Sequence, residues 1–445
     1  MPDLGVLLLP AAALVVAVAA WGVARGVDVR LALLAAAFAL AALAGDVAPI
    51  LQVFLATFSS EKFVIPICTA MGFAYVLRHT ACDQHLVHLL TKPLRHGRVF
   101  LIPGVVAIGF LVNIPVISQT STAVCLGAVV VPLMRAARLS NATIGACILL
   151  GASIGGELLN PGAPELNTVG QRLGVPPTQV VPAIVPLIVP HLAIATAIFW
   201  FLSLRAERRA GPVAEPQEAP AAFRVNIIRA AVPLVPLALL FLVGPPLNVF
   251  RVPSSWLEVP GKGESHYETR LIGAAMLVGV LAASAASPRV VRGVPKAFFD
   301  GAGYAFAEII SLIVTATCFG KAIEGVGVAA LIGSAIERVP GVLIPAAGAV
   351  PLGFAALSGS GMAATQSLYG FFVEPARALG VDPVDVGAVV SVAAAAGRTM
   401  SPVAAVALMA GKLTGTSSLA LAGRVAPPLL ISLAIVIGLR MAGVL

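Results

Sequence analysis

Charge is scarce in this sequence: only 11% of its 445 residues are Asp, Glu, Lys or Arg. A soluble domain usually carries about 25%, so a solvated globular surface is excluded. Aromatic residues are also few, at 6%, while 59% are hydrophobic and the mean hydropathy is +1.00. This is an integral membrane protein. The five cysteines, Cys68, Cys82, Cys125, Cys147 and Cys318, lack paired or metal-type spacing. Neither a disulfide framework nor a metal site is implied, and they read as small packing residues. No nucleophile–base pair or metal cluster argues for an enzyme. A cleaved signal is not expected either, because Met1-Pro2-Asp3 lacks a basic stretch and the first apolar run is already span-length. The +8 formal charge would suggest nucleic acid in a soluble chain; here it reports topology, and no nucleic-acid partner is expected.

Uncharged runs of about 20 residues cross a ~30 Å hydrocarbon layer. They place spans near 5–24, 31–58, 63–78, 142–168 and 178–204, then 225–248, 271–288, 297–320, 384–411 and 419–440. Two further stretches, Val99–Met134 and Val339–Val373, are too long for one crossing, since 36 helical residues would reach ~54 Å. Each must fold back, as a re-entrant hairpin or two thin spans. With the Arg205-Arg208-Arg209 linker placed in the cytoplasm, most of the 28 Lys and Arg fall on that side, as the positive-inside rule requires. His79–Arg98 and Ala322–Arg338 alternate apolar and charged residues as short amphipathic helices do. The mixed-charge loop Arg251–Arg270 reads as a solvated cap on the outer face.

The polar breaks repeat. Ser118-Gln119-Thr120-Ser121-Thr122 and Ser358-Gly359-Ser360-Gly361 interrupt the two long stretches. A second break follows each, Gly156-Glu157-Leu158-Leu159-Asn160-Pro161 and Gly397-Arg398-Thr399-Met400-Ser401-Pro402. Ser118 to Pro161 is 43 residues and Ser358 to Pro402 is 44. An interrupted unit written twice, with an odd number of crossings per half, predicts an all-α polytopic membrane protein of two inverted repeats. Each repeat has about five transmembrane helices plus a re-entrant hairpin and a broken helix. Residues 1–204 form the first repeat, 205–224 a cytoplasmic linker and 225–445 the second. Paired interruptions of this kind point to the central site of a secondary transporter.

A break frees backbone N–H groups at the start of the next half-helix, where the dipole favours an anion. The expected substrate-binding residues are therefore Ser118, Thr120, Ser121, Thr122, Asn160, Pro161, Ser358, Gly359, Ser360, Gly361, Thr365, Arg398, Thr399, Ser401 and Pro402. Tight helix packing is the alternative role for the small ones. Arg398 lies within the membrane, where an unpaired guanidinium costs several kcal/mol. It either grips a substrate carboxylate bidentately or pairs with Glu157, its repeat mate. Glu157 and Glu165 are the candidates for the coupling ion. Asp46, Asp300 and Glu308 read as span-end or capping acids, and His191 as a packed or hydrogen-bonded histidine.

These motifs give the chain a family likeness. Phe299-Asp300-Gly301-Ala302-Gly303-Tyr304-Ala305-Phe306-Ala307, Ser358-Gly359-Ser360-Gly361 and Gly397-Arg398-Thr399-Met400-Ser401-Pro402-Val403 resemble signature blocks of the C4-dicarboxylate uptake carrier C family, in the ion-transporter superfamily. Gly72-Phe73-Ala74-Tyr75 and Leu90-Thr91-Lys92-Pro93-Leu94 match in the first half, and the likeness spans about 60–440. Where that family commonly has a small polar stretch, this chain has Gly162-Ala163-Pro164-Glu165. The resemblance implies a secondary active transporter of succinate-like dianions. It would work in the bacterial inner membrane by an elevator-type mechanism, coupled to H+ or Na+ or by exchange, with no other cofactor. A carrier for another organic anion, or a passive anion channel, is the alternative. The expected partners are the dianion, the bilayer and a second copy in a homodimer.

Overall fold

In the computed structural model residues 3–92, 100–210, 223–243, 249–258, 267–326 and 339–444 are described. Parts of the linker, of the expected amphipathic segments and of the outer loop lie outside them. Among the described residues there is no β-strand, and seven helices are long and apolar enough to cross a membrane.

The first half comprises α1 (Asp3–Ala24), α2 (Val29–Ala44), α3 (Ala48–Phe58), α4 (Glu61–Thr80), α5 (Cys82–Thr91), α6 (Leu101–Asn113), α7 (Gln119–Ala136), α8 (Asn141–Ser153), α9 (Pro164–Leu173) and α10 (Pro177–Ala210). The second comprises α11 (Ile227–Val243), α12 (Tyr267–Ala286), α13 (Val294–Ala305), α14 (Ser311–Gly325), α15 (Leu343–Ser358), α16 (Gly361–Leu368), α17 (Gly370–Ala378), α18 (Pro383–Thr399), α19 (Ala405–Thr414) and α20 (Ser418–Met441). The stretch 31–58, read from sequence as one span, is two helices. Gly45 adopts φ 85° and closes α2, and the Asp46 carboxylate accepts from Ala48 N at 2.9 Å to start α3. A left-handed glycine followed by a capping acid is a stop and a start.

Both long stretches fold back where the polar residues fall. α6 packs on α7 across a turn at 114–118, and α15 on α16 across Gly359-Ser360. Ser118 and Ser360 cap the returning helices, accepting from Ser121 N at 3.3 Å and Ala363 N at 3.1 Å.

Glycine sets how closely these helices approach. α8 is buried continuously from Thr143 to Ser153. A methyl on Gly109 would lie 2.7 Å from the Gly151 carbonyl carbon, so α6 and α8 touch backbone to backbone. The same packing recurs 241 residues on. A methyl on Gly156 would sit 2.4 Å from Phe110 O, and one on Gly397 2.2 Å from Leu352 O. A methyl on Gly170 would likewise lie 2.6 Å from Val175 O, and one on Gly411 2.5 Å from Thr416 O. Two of the sequence blocks meet as well: a methyl on Gly301 of α13 would lie 2.5 Å from Met71 O and 2.9 Å from the Gly72 Cα. Their glycines make the α4–α13 crossing.

Candidate functional site

α8 ends at Ser153, and the chain turns through Gly155 at φ 119° into a single 3-10 turn, Gly156–Leu159, that carries Glu157. From the other half α18 runs to Thr399, so Arg398 stands in its last turn. The two breaks meet. Arg398 Nη2 donates to Glu157 Oε1 at 2.5 Å and to Ser153 O at 2.7 Å, while Nε donates to Ser153 Oγ at 3.2 Å. Nη1 faces Glu165 Oε1 at 3.7 Å, an ion pair without a hydrogen bond. Thr399 Oγ1 bonds Ser153 O at 2.7 Å. Arg398 is 5% exposed, Glu165 2% and Glu157 0%.

Burial of these charges is expensive, and breaking such a pair costs about 3–5 kcal/mol. Here one guanidinium faces two carboxylates, and Oε2 of both Glu157 and Glu165 has no hydrogen-bond partner. The cluster holds one more negative than positive group. α16 starts directly over it: a methyl on Gly361 would lie 3.3 Å from Arg398 Nη1.

Around the first break the amides hold the backbone. Asn160 Nδ2 donates to Ile114 O at 2.9 Å, and its Oδ1 accepts from Gly162 N at 2.9 Å. Thr122 Oγ1 donates to Val116 O at 3.2 Å, and Pro161 O accepts from Asn167 Nδ2 at 3.1 Å. Ser118 and Thr120 are half-buried and Ser121 is buried; none of them hydrogen-bonds to the Arg398 cluster. Around the second break Ser358 Oγ accepts from Ser360 N at 3.3 Å, and a methyl on Gly359 would lie 3.0 Å from Ala404 N. Thr365 and Ser401 are fully buried and their hydroxyls lack partners; Pro402 is half-buried.

Ser153, Asn113 and Asn167 were not anticipated. Asn113 Nδ2 donates to Val116 O at 3.0 Å, and its Oδ1 accepts from Glu157 N at 3.3 Å. It links the first tip to the charge cluster. Its signal was available: Asn113 is the lone polar side chain between Phe100 and Ile117. Ser153 gave none, since its role depends on a guanidinium 245 residues away. His191 Nδ1 meets Ser432 Oγ at 2.9 Å, another pair 241 residues apart, like Glu157 and Arg398.

Seven membrane-length helices among the described residues and the family match over most of the chain make this a multi-pass membrane transporter. The chain belongs to the C4-dicarboxylate anaerobic carrier family, which it matches over residues 62–445. It is 43% identical over 95 residues to an uncharacterized transporter of Haemophilus influenzae, covering 21% of this chain and 66% of that one. A second uncharacterized transporter of the same organism is 24% identical over 282 residues, covering 62% of this chain and 97% of that one. Two solved structures share the fold at TM-score 0.59. One is MtrF of Neisseria gonorrhoeae, of a class of antimetabolite efflux pumps, at 13% identity over 88% of this chain and 83% of that one. The other is the YdaH transporter of Alcanivorax borkumensis, of unusual topology, at 16% identity over 88% and 87%.

Proposed function

We propose that the protein is a secondary active carrier that moves a C4-dicarboxylate, of the succinate, fumarate or malate kind, across the bacterial inner membrane. The observation that carries this reading is the buried Arg398–Glu157–Glu165 cluster beneath the start of α16, in a member of a dicarboxylate carrier family. One substrate carboxylate meets the Nη1 edge of Arg398, the edge not committed to Glu157. The other lies among the N-terminal N–H groups of α16 and the hydroxyls of Thr365 and Ser401. A dianion added to a cluster already one charge negative would leave three uncompensated negative charges in low dielectric, which is prohibitive. A proton or Na+ on Glu157 or Glu165 therefore travels with the substrate.

The halves act as inverted repeats, residues 1–204 and 225–445, joined by the linker 205–224. Contact between the repeat mates Glu157 and Arg398, and between His191 and Ser432, fits a two-fold relation between them. Alternating access then moves the hairpins and broken helices as one body past the remaining helices of a homodimer. The test is counterflow in proteoliposomes: internal unlabelled succinate should accelerate entry of labelled succinate, with a dependence on Na+ or on a pH gradient. Entry without trans-stimulation would identify a channel, and stimulation by other anions alone would exclude dicarboxylates.

A further inference from the structure

α20 and α13 turn different kinds of surface outward. On α20 every exposed residue from Leu419 to Gly438 is apolar or glycine, as contact with lipid requires. α13 and the π turn that continues it, Phe306–Ile310, instead expose positions 296, 299, 300, 303, 304, 307 and 308, among them Lys296, Asp300, Tyr304 and Glu308. Steps of three and four make these positions a single helix face. Tyr304 is 45% exposed and the Glu308 side chain 49%.

This face lies at membrane depth. α13 runs antiparallel to the spanning helix α4: His79, near the end of α4, meets Val290 O at 3.1 Å, a methyl on Gly301 would lie 2.5 Å from Met71 O, and Ile309 shares a buried cluster with Ile67. The polar stripe thus starts at the end of α4 and runs to its middle. Glu308 stands twelve residues beyond Lys296, ~18 Å along the axis. Lipid satisfies none of these groups, and ionisable side chains at such depth face protein or water.

The deep end is compensated within the chain. Arg30 Nη1 donates to Ala307 O at 2.8 Å and faces Glu308 Oε2 at 3.4 Å, while Nη2 pairs with Asp28 at 2.5 Å. The shallow end is not compensated: the side chains of Lys296 and Asp300 form no ion pair or hydrogen bond with the described residues. These two opposite charges stand one helical turn apart. Next along the face is a groove, because nothing lies within 4 Å of a methyl placed on Gly303, and Ala307 follows four residues on. Small residues four apart let membrane helices approach closely. A face with one unpaired charge of each sign beside a small-residue groove is complementary to itself, the property a two-fold interface needs.

We propose that this face of α13 is where a second copy of the chain packs. A two-fold axis along the membrane normal sets the two helices side by side at Gly303 and brings each Lys296 to the partner's Asp300. Both unpaired charges of each copy are then met, and Tyr304 leaves lipid. The proposal rests on the homodimer of the carrier reading and not on its cargo.

In membranes, Gly303→Cys in a background lacking the native cysteines should give a disulfide-linked dimer on mild oxidation. Leu281→Cys and Ile431→Cys, on apolar outward faces, should give none. Charge swaps in the otherwise wild-type chain test the pairing. Lys296→Asp or Asp300→Lys alone sets like charges against each other and should weaken self-association in detergent about tenfold. The two together should return it to within about threefold of wild type. A dimer without the Gly303→Cys cross-link overturns the face, as does rapid reaction of that thiol with a membrane-impermeant maleimide, the mark of a water-lined surface. Cross-linking of Leu281→Cys at the same rate means random collision and overturns it too, and a double swap no better than the single ones overturns the ion pairing. A monomeric wild-type protein overturns the interface whatever it transports. A chain that cross-links at Gly303→Cys while the wild type moves no succinate keeps the interface and loses the dicarboxylate reading.

Discussion

The two helix breaks occupy equivalent places in the two halves and are held differently. The first is latched: Asn113 and Thr122 donate to Val116 O, Asn160 donates from the break to Ile114 O of the hairpin, and Asn167 donates to Pro161 O within the break. At the second the Ser358 and Ser360 hydroxyls accept from nearby backbone N–H groups, Gly359 leaves no room for a side chain against Ala404, and the hydroxyls of Thr365 and Ser401 are buried without partners. Polar groups in a membrane interior must be satisfied from within the protein. At the first break the amides satisfy the backbone while Glu157 Oε2 stays without a hydrogen-bond partner; at the second it is the Thr365 and Ser401 hydroxyls that stay without one. Irregular backbone of the same sequence design is thus held by side-chain amides in one half and lies beside unpartnered buried hydroxyls in the other.

The largest test of this difference removes the charge that joins the breaks. Arg398→Gln leaves two buried carboxylates facing each other and should destabilise by about 3–5 kcal/mol, read as the unfolding midpoint of the purified protein. Glu157→Gln should cost less, because Glu165 remains 3.7 Å from the guanidinium, and the double variant should recover part of the loss. Equal losses from the two single variants would show that Glu165 provides no compensation.

Next come the symmetric glycines. Alanine at Gly156 or Gly397 drives a methyl into Phe110 O or Leu352 O, and each should lose about 1–3 kcal/mol as an overpacked core does. A loss at one position alone would break the equivalence of the two units.

Smaller effects sharpen the contrast between the amides and the unpartnered hydroxyls. Asn113→Ala removes the acceptor of the buried Glu157 N and Asn160→Ala removes the donor to Ile114 O, and each should cost about 1–2 kcal/mol, measured in the same unfolding assay. Substrate protection against unfolding should survive. Ser401→Ala and Thr365→Ala remove hydroxyls that bond nothing, so stability should stay within about 0.5 kcal/mol while succinate affinity falls. The comparison fails if the asparagine variants keep full stability and the hydroxyl variants lose it.

Much of this organisation was legible in the residues. Low charge and long apolar runs dictate membrane helices, since nothing else satisfies the backbone in lipid. Ser118 and Ser360 fall at helix starts because a short hydroxyl side chain caps a free N–H. The recurrence of Gly156-Glu157 as Gly397-Arg398 marked two related breaks. Local patterning also has limits: Gly45 and Asp46 divide what hydropathy alone reads as one span. The sequence by itself determined where the helices run and where each must stop, because hydropathy, glycine and capping act within a few residues of the chain. Only the tertiary structure decided that Arg398 is shared by Glu157, Glu165 and Ser153, and that Asn113 holds the first break. Those contacts join residues far apart in the chain, and electrostatics and hydrogen bonding depend on distance in space, which no local pattern encodes.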